Sequence, residues 1–168
     1  MKKLAVVLAL AGVLLLTGCA DMLVEWQIDE QGNIASKLIL EPDVFSTEEV
    51  NAGLNFAMLG LFPLTKYLQS DMTQKAFTFA PATTFTFGEL RSKGIDVSFD
   101  GSMFVFKIPP FFDKVSSLEE NDVVATIRVI FPREVDIANT TYVEGNTAIW
   151  KLTKGMLTKE MTLKALLK

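Results

Sequence analysis

The sequence predicts an α+β fold: an antiparallel β-sheet of about eight strands with one or two covering helices. Three observations predict it. Several segments of the 168-residue chain alternate apolar and polar side chains with period two. Their links are short and contain glycine or an Asp-Gly pair, as hairpins require. One internal segment instead carries a helix-capping signature followed by a long apolar run.

The chain opens with Lys2 and Lys3, an apolar run from Leu4 to Leu16, and small residues before Cys19, which is the layout of an export signal. Thirteen apolar residues span about 20 Å as a helix, short of the roughly 30 Å hydrocarbon core of a bilayer. The stretch therefore reads as a removable signal over residues 1–18, leaving a single domain over 19–168. Leu16-Thr17-Gly18-Cys19 resembles the lipobox of bacterial lipoproteins. That resemblance implies a diacylglyceryl group on the Cys19 sulfur, further acylation of the palmitate type, and cleavage just before the cysteine. Two acyl chains hold a protein stably on a bilayer where one does so marginally. Ala20 is not the aspartate that retains such proteins at the inner membrane, so the expected location is the outer face of the cell membrane, or the outer membrane in a two-membrane source.

After the cysteine, Met22 to Ile28 reads as a strand, Asp29 to Asn33 as a Gly-containing turn, and Ile34 to Leu40 as the hairpin partner, ended by Glu41-Pro42. Ser46-Thr47-Glu48-Glu49 has capping-box spacing and predicts a helix to about Leu61. Pro63 breaks it, and a second helical segment follows from Leu64 to Thr73. Ala76 to Phe79 and Thr84 to Phe87 alternate aromatic and hydroxyl side chains, with a short helix able to begin near Phe87 and stop at Gly94. Ile95 to Phe99, Asp100-Gly101 and Met103 to Ile108 form the strongest hairpin signal, since Asp-Gly suits a type I′ turn. Val123 to Phe131 is another strand, Thr141 to Val143 is joined through Glu144-Gly145-Asn146 to Thr147 to Leu152, and Met161 to Leu167 alternates as the last strand.

Composition excludes several chemistries. There is no histidine and one cysteine, so disulfide frameworks, Cys/His zinc sites and histidine-based relays are ruled out by counting. No catalytic residue, cofactor or metal is expected, and the reading is non-enzymatic. Loss of the two signal lysines takes the net charge from −4 to −6, which disfavours a nucleic-acid partner. Glu119-Glu120-Asn121-Asp122 and the pair Asp96 and Asp100 lack EF-hand spacing and read as solvated carboxylates. Asn139-Thr140-Thr141 matches a glycosylation sequon that has little meaning in a bacterial lipoprotein.

Two patterns point to apolar binding. The helix predicted from Ser46 has almost no polar face after Asn55, and among its apolar residues Leu54, Phe56, Leu59 and Phe62 are candidate contacts for an apolar ligand. A helix that is apolar all round is buried on every side or faces lipid. It is either a central helix wrapped by the sheet, or one that lines an apolar cavity or dips into the bilayer beside the Cys19 lipid. Phe77, Phe79, Phe85, Phe87 and Trp150 are either the inward face of strands in a filled core or the lining of a hollow one. The charge distribution adds a third pattern: residues 151–168 carry a net +4 while 20–150 carry −10. Lys151 and Lys164 fall on what reads as the polar face of paired strands, either an ordinary solvated face or a patch meeting lipid head groups.

The second half of the chain resembles the LppM-like lipoprotein domain family. In that family a strand closes with a Phe-Pro turn, and a Gly-turn hairpin carries a tryptophan before a final strand. Here these are Phe131-Pro132 with Val135, Gly145 with Trp150 and Leu152, and Leu163 with Ala165. The lipobox, early hairpin, helix and Gly94 to Phe106 unit follow in the family's order. Arg133 stands where the pattern has glycine, and no carboxy-terminal membrane helix precedes Lys168, which makes Cys19 the expected anchor. The resemblance implies a non-enzymatic envelope protein that recognises a lipid. Two functions follow as expectations: binding a lipid or other apolar envelope component, or docking as a structural or accessory lipoprotein on a membrane-protein partner.

Overall fold

The computed structural model of the chain describes residues 20–42, 77–79, 84–92, 94–110, 119–121, 123–140 and 142–168. The helices expected over 46–61 and 64–73 lie outside the described residues. Within them are eleven strands in chain order: β1 (Ala20–Ile28), β2 (Asn33–Pro42), β3 (Phe77–Phe79), β4 (Phe85–Thr86), β5 (Asp96–Phe99), β6 (Met103–Ile108), β7 (Val123–Ile130), β8 (Val135–Ala138), β9 (Tyr142–Glu144), β10 (Thr147–Thr153) and β11 (Met161–Leu167). Helix α1 (Phe87–Ser92) follows β4, and α2 (Lys154–Leu157) follows β10.

The fold is β-rich, and the single antiparallel sheet of about eight strands expected from the sequence is corrected to two sheets with minor helices. Sheet 1 runs β3-β2-β1-β7-β10-β9, with β4 also on β2, and sheet 2 runs β5-β6-β11-β8. Sheet 1 is mixed, because β1 and β7 pair in parallel from Leu23 opposite Thr126 to Gln27 opposite Ile130. Hairpin signals identify partners that are neighbours in sequence, and these two strands are about a hundred residues apart.

The sheets face one another across one core. Alternate residues of β1, β7 and β10 (Trp26, Ile28, Ala125, Ile127, Val129, Ala148, Trp150 and Leu152) are buried, and so are Leu163, Ala165 and Leu167 of β11. Phe104 of sheet 2 packs on Trp26 and Trp150 of sheet 1 at ring distances of 6.5 and 6.2 Å, and on Phe131 at 5.4 Å edge to face.

Local chemistry sets where elements begin and end. The expected strand over Thr84 to Phe87 stops at Thr86, because Thr86 and Glu89 form a capping box. Glu89 Oε2 accepts from Thr86 N at 2.7 Å, while Thr86 Oγ1 accepts from Glu89 N at 3.2 Å. The chain then turns into α1 with Phe85 and Phe87 both still buried. Gly94, at φ +88°, ends the helix in a Schellman arrangement, its N donating to Arg91 O and Ile95 N donating to Leu90 O. In the β5–β6 hairpin, Asp100 N donates to Met103 O. The two central residues are therefore Gly101 and Ser102, one place later than the Asp-Gly reading, with φ +90° at Gly101. Glycine at the first of two loop positions suits a type II′ turn.

Two links close the flanks of the sandwich. On one side α1 packs on β5, with Phe87 against Phe99 at 5.8 Å. On the other, the β8–β9 link crosses from sheet 2 to sheet 1. There Asn139 Oδ1 accepts from Trp150 Nε1 at 3.1 Å and from Lys164 N at 2.7 Å, and Asn139 Nδ2 donates to Thr162 O at 2.6 Å. Thr140 Oγ1 donates to Ile149 O. The side-chain amide of the sequon is thus committed to holding the two sheets together.

Candidate functional site

The strand register gives the sandwich two chemically different ends. At one, Ala20 is opposite Pro42, Leu40 opposite Phe77, Val123 opposite Thr153, and Ile108 opposite Met161. At the other lie the turn after β1, the Gly101-Ser102 turn, the 131–134 link and the Gly145-Asn146 turn.

The Gly101 end is built from bonded turns. Asp29 accepts from Asn33 N and Asn33 Nδ2, both at 2.8 Å, and these bonds, the side-chain one foremost, lower its pKa. Asp100 accepts from Met103 N at 2.7 Å and from Ser102 N and Oγ at 2.9 Å, which lowers its pKa in the same way. Arg133, in the link that crosses from β7 of sheet 1 to β8 of sheet 2, donates to the main-chain oxygens of Lys168 and Gly101 and so ties that link to sheet 2. Lys168 Nζ meets Glu134 Oε2 at 2.8 Å, so the Glu134 carboxyl is held low and the Lys168 ammonium high. A shallow open cleft of about 390 Å³ lies here, lined by Gln27, Asp29, Gln31, Ile130, Pro132 and Asn146 among others. Its lining mixes these polar side chains with Ile28, Ile130, Phe131 and Pro132.

At the Ala20 end the described residues include the α2 turn and residues 119–121. The α2 turn projects from that end, capped by Thr153 Oγ1 accepting from Met156 N at 3.4 Å. Gly155 N donates to Glu120 O at 2.9 Å. A Cβ at Gly155 would stand 3.1 Å from that same oxygen, so the close approach of α2 to residues 119–121 leaves a side chain there little room. Leu157 is buried beneath, while Met156 and Val123 are 43% and 46% exposed. Pro109 and Pro110 are exposed at the same end, after β6.

The sequence-predicted site residues separate accordingly. Leu16, Thr17, Gly18, Cys19, Leu54, Phe56, Leu59 and Phe62 lie outside the described residues. Phe77 and Phe79 occupy register positions opposite Leu40 and Leu38. Phe85, Phe87 and Trp150 belong to the packed core between the sheets. Lys151 and Lys164 are both exposed, but the expectation that their strands pair is corrected: β10 belongs to sheet 1 and β11 to sheet 2. Alternation identifies the polar face of each strand and not which strands are neighbours. The five lysines of residues 151–168 also spread along the molecule: Lys151, Lys154 and Lys159 near the Ala20 end, Lys164 mid-strand opposite Val105, and Lys168 at the Gly101 end. Arg133 and Asn139, the two side chains that fasten the links between the sheets, were not among the candidates.

Among the described residues no helix is long and apolar enough to cross a membrane. On the outer face of sheet 2, Met103, Leu166 and Ile137 form one cross-strand row, 45%, 40% and 65% exposed.

No protein-family profile matches the chain, and no curated protein matches it. Among solved structures the chain is similar to the NMR structure of the folded domain of the Mycobacterium tuberculosis LppM protein, at 16% identity over 89% of each chain and a TM-score of 0.48.

Proposed function

We propose that this chain is a membrane-anchored, non-enzymatic bacterial lipoprotein of the LppM-like kind. It is exported, acylated on Cys19, and binds a lipid or another apolar component of the cell envelope. One observation carries the reading: Ala20, Pro42 and Phe77 share one end of sheet 1. β1 begins at the residue after Cys19, so an acyl group on that sulfur lies within a residue or two, about 3–7 Å of chain, of the sheet end. The segment 43–76, with its apolar run from Ala52 to Leu64, is joined to the sheet at the same end. The two described attachment points of that segment, Pro42 and Phe77, thus lie near the acyl anchor, which supports an apolar ligand drawn from the bilayer.

Expression of the full chain in a host that processes lipoproteins tests this. Cys19→Ser is expected to lose the acyl mass and to leave the membrane fraction; a variant that stays membrane-bound at an otherwise unchanged mass defeats the reading. Solvent extraction of the purified wild-type protein is expected to release a bound lipid. Phe56→Ser combined with Phe62→Ser is expected to abolish that lipid without lowering the thermal midpoint. Lipid retained with a collapsed midpoint points instead to plain core packing.

A second reading, docking on a membrane-protein partner, is favoured by the exposed row of Met103, Leu166 and Ile137. It predicts that Ile137→Lys disrupts a complex captured by crosslinking in the native membrane and leaves lipid binding intact.

A further inference from the structure

The lipid-anchor reading fixes one residue at a membrane, and the register of sheet 1 fixes what must lie beside it. β1 and β7 run parallel, pairing from Leu23 opposite Thr126 to Gln27 opposite Ile130, so their first residues, Ala20 and Val123, lie at the same end of sheet 1. Val123 is opposite Thr153, just past a register shift after Leu152. Ala20, Val123 and Thr153 thus share one end of three neighbouring strands, on the order of 10 Å across at the usual inter-strand spacing. From Thr153 the chain runs outward past the sheet end into α2. An acyl-bearing Cys19 in the head-group layer therefore brings α2 to the same layer.

The surface there suits that position. Met156 is exposed at the tip of α2, with Val123 exposed beside it and Pro109 and Pro110 exposed on the sheet 2 side. Lys154 and Lys159 flank Met156 in sequence. Among the described residues at this end Lys151, Lys154, Lys159 and Lys107 are matched in number by Glu119, Glu120, Glu160 and Asp96, with Gly155 N donating to Glu120 O and Lys107 paired with Asp96 at 3.3 Å. Among these residues there is no cationic excess that would demand anionic lipid.

We propose that the α2 turn, led by Met156 with Val123 beside it, is a second, non-covalent contact with the lipid surface that holds the Cys19 anchor. The contact is apolar in character and works on zwitterionic lipid. The acyl chains supply the affinity; α2 fixes orientation, standing the sandwich with its Gly101 end away from the membrane. This rests on the lipid-anchor reading.

The test uses the full, processed chain, in which an acylated Cys19 leaves no free thiol. Met156→Cys, Val123→Cys and Glu30→Cys variants are each labelled with an environment-sensitive fluorophore and reconstituted on phosphatidylcholine vesicles containing a head-group spin-labelled lipid. Glu30 lies in the exposed turn after β1, at the opposite end. The expected result is a blue shift and loss of intensity at positions 156 and 123, with neither at 30. Because position 123 is on β7, its reading holds even if a label disturbs α2. Unquenched emission at 123 and 156 on protein that floats with the vesicles overturns the proposal, and so does equal quenching at all three sites. A protein mass lacking acyl groups overturns the anchor reading, and the α2 contact falls with it. Quenching that appears only when phosphatidylglycerol is added overturns the apolar character of the contact.

Discussion

The two ends of the sandwich satisfy their main chain by partly different means. At the Gly101 end, side chains of the turns themselves do it: Asp29 and Asp100 each accept two or three bonds from the next few residues, and Arg133 ties the β7–β8 link to the β5–β6 turn. At the Ala20 end, among the described residues, the α2 turn adds to its own side-chain bonds, Thr153 Oγ1 accepting from Met156 N and Thr158 Oγ1 donating to Gly155 O, a main-chain bond from Gly155 N to Glu120 O of a neighbouring segment. The core changes in step. Among the described core residues, Phe99, Phe104, Phe131 and Phe87 gather toward the Gly101 end, and Leu152, Leu157 and Ala125 lie toward the Ala20 end. An aromatic cluster beneath locally bonded turns is expected to resist opening more than a four-residue helix docked on a neighbouring segment.

The largest expected effect breaks the comparison at the core. Phe131, 1% exposed, contacts both Phe99 and Phe104, so Phe131→Ala is expected to cost about 3–5 kcal/mol in denaturant unfolding. Leu157→Ala at the Ala20 end is expected near the low side of the roughly 2–5 kcal/mol range for leucine, because a four-residue helix can settle into the space. Equal costs would show that the two ends are packed alike.

A pair of glycines sharpens the comparison. Gly101 has open space around a would-be Cβ but φ +90°, so Gly101→Ala is expected to cost about 1–2 kcal/mol through backbone strain alone. Gly155 has no such dihedral requirement, and its Cβ would meet main-chain oxygen at 3.1 Å. Gly155→Ala is expected to displace α2 from residues 119–121, read as faster amide exchange over 154–157 with little change in exchange elsewhere. A global loss of protection would mean that α2 is integral to the cooperative unit.

What was legible in the sequence follows the same physics. The β1–β2, β5–β6 and β9–β10 hairpins and the β11 alternation were read because each signal lies within a dozen or so residues. β8 was missed because Val135 is buried but Ile137, two residues on, is 65% exposed, so the segment does not follow a simple inside–outside code. The parallel β1–β7 pairing, the Asn139 knot and the Arg133 clamp all join residues far apart in the chain, and only the packed sheets bring them together. Asn139 was visible only as a sequon, and Arg133 only as a departure from glycine. The lysines show the same limit. Lys151 and Lys164 read as sharing the polar face of paired strands, either a solvated face or a head-group patch, yet β10 and β11 lie in different sheets.

The smallest effect isolates the Gly101 end by pH. Asp100 has its pKa lowered, chiefly by the bond from Met103 N and then by those from Ser102 N and Oγ. A carboxyl whose folded pKa lies below its unfolded one stabilises the fold above the unfolded value of about 3.9, and that contribution disappears as pH falls through the folded value. Asp100→Asn is therefore expected to be modestly less stable than wild type at pH 7, with the difference shrinking as the pH is taken below 4. Asp29 is lowered by Asn33 in the same sense, so Asp29→Asn is expected to follow the same profile. Acid titration followed by amide exchange is expected to loosen the turns at 29–33 and 100–103 before α2. If α2 loosens first, the Ala20 end has its own acid-sensitive contacts, and the expected difference in opening between the two ends does not rest on these carboxylates.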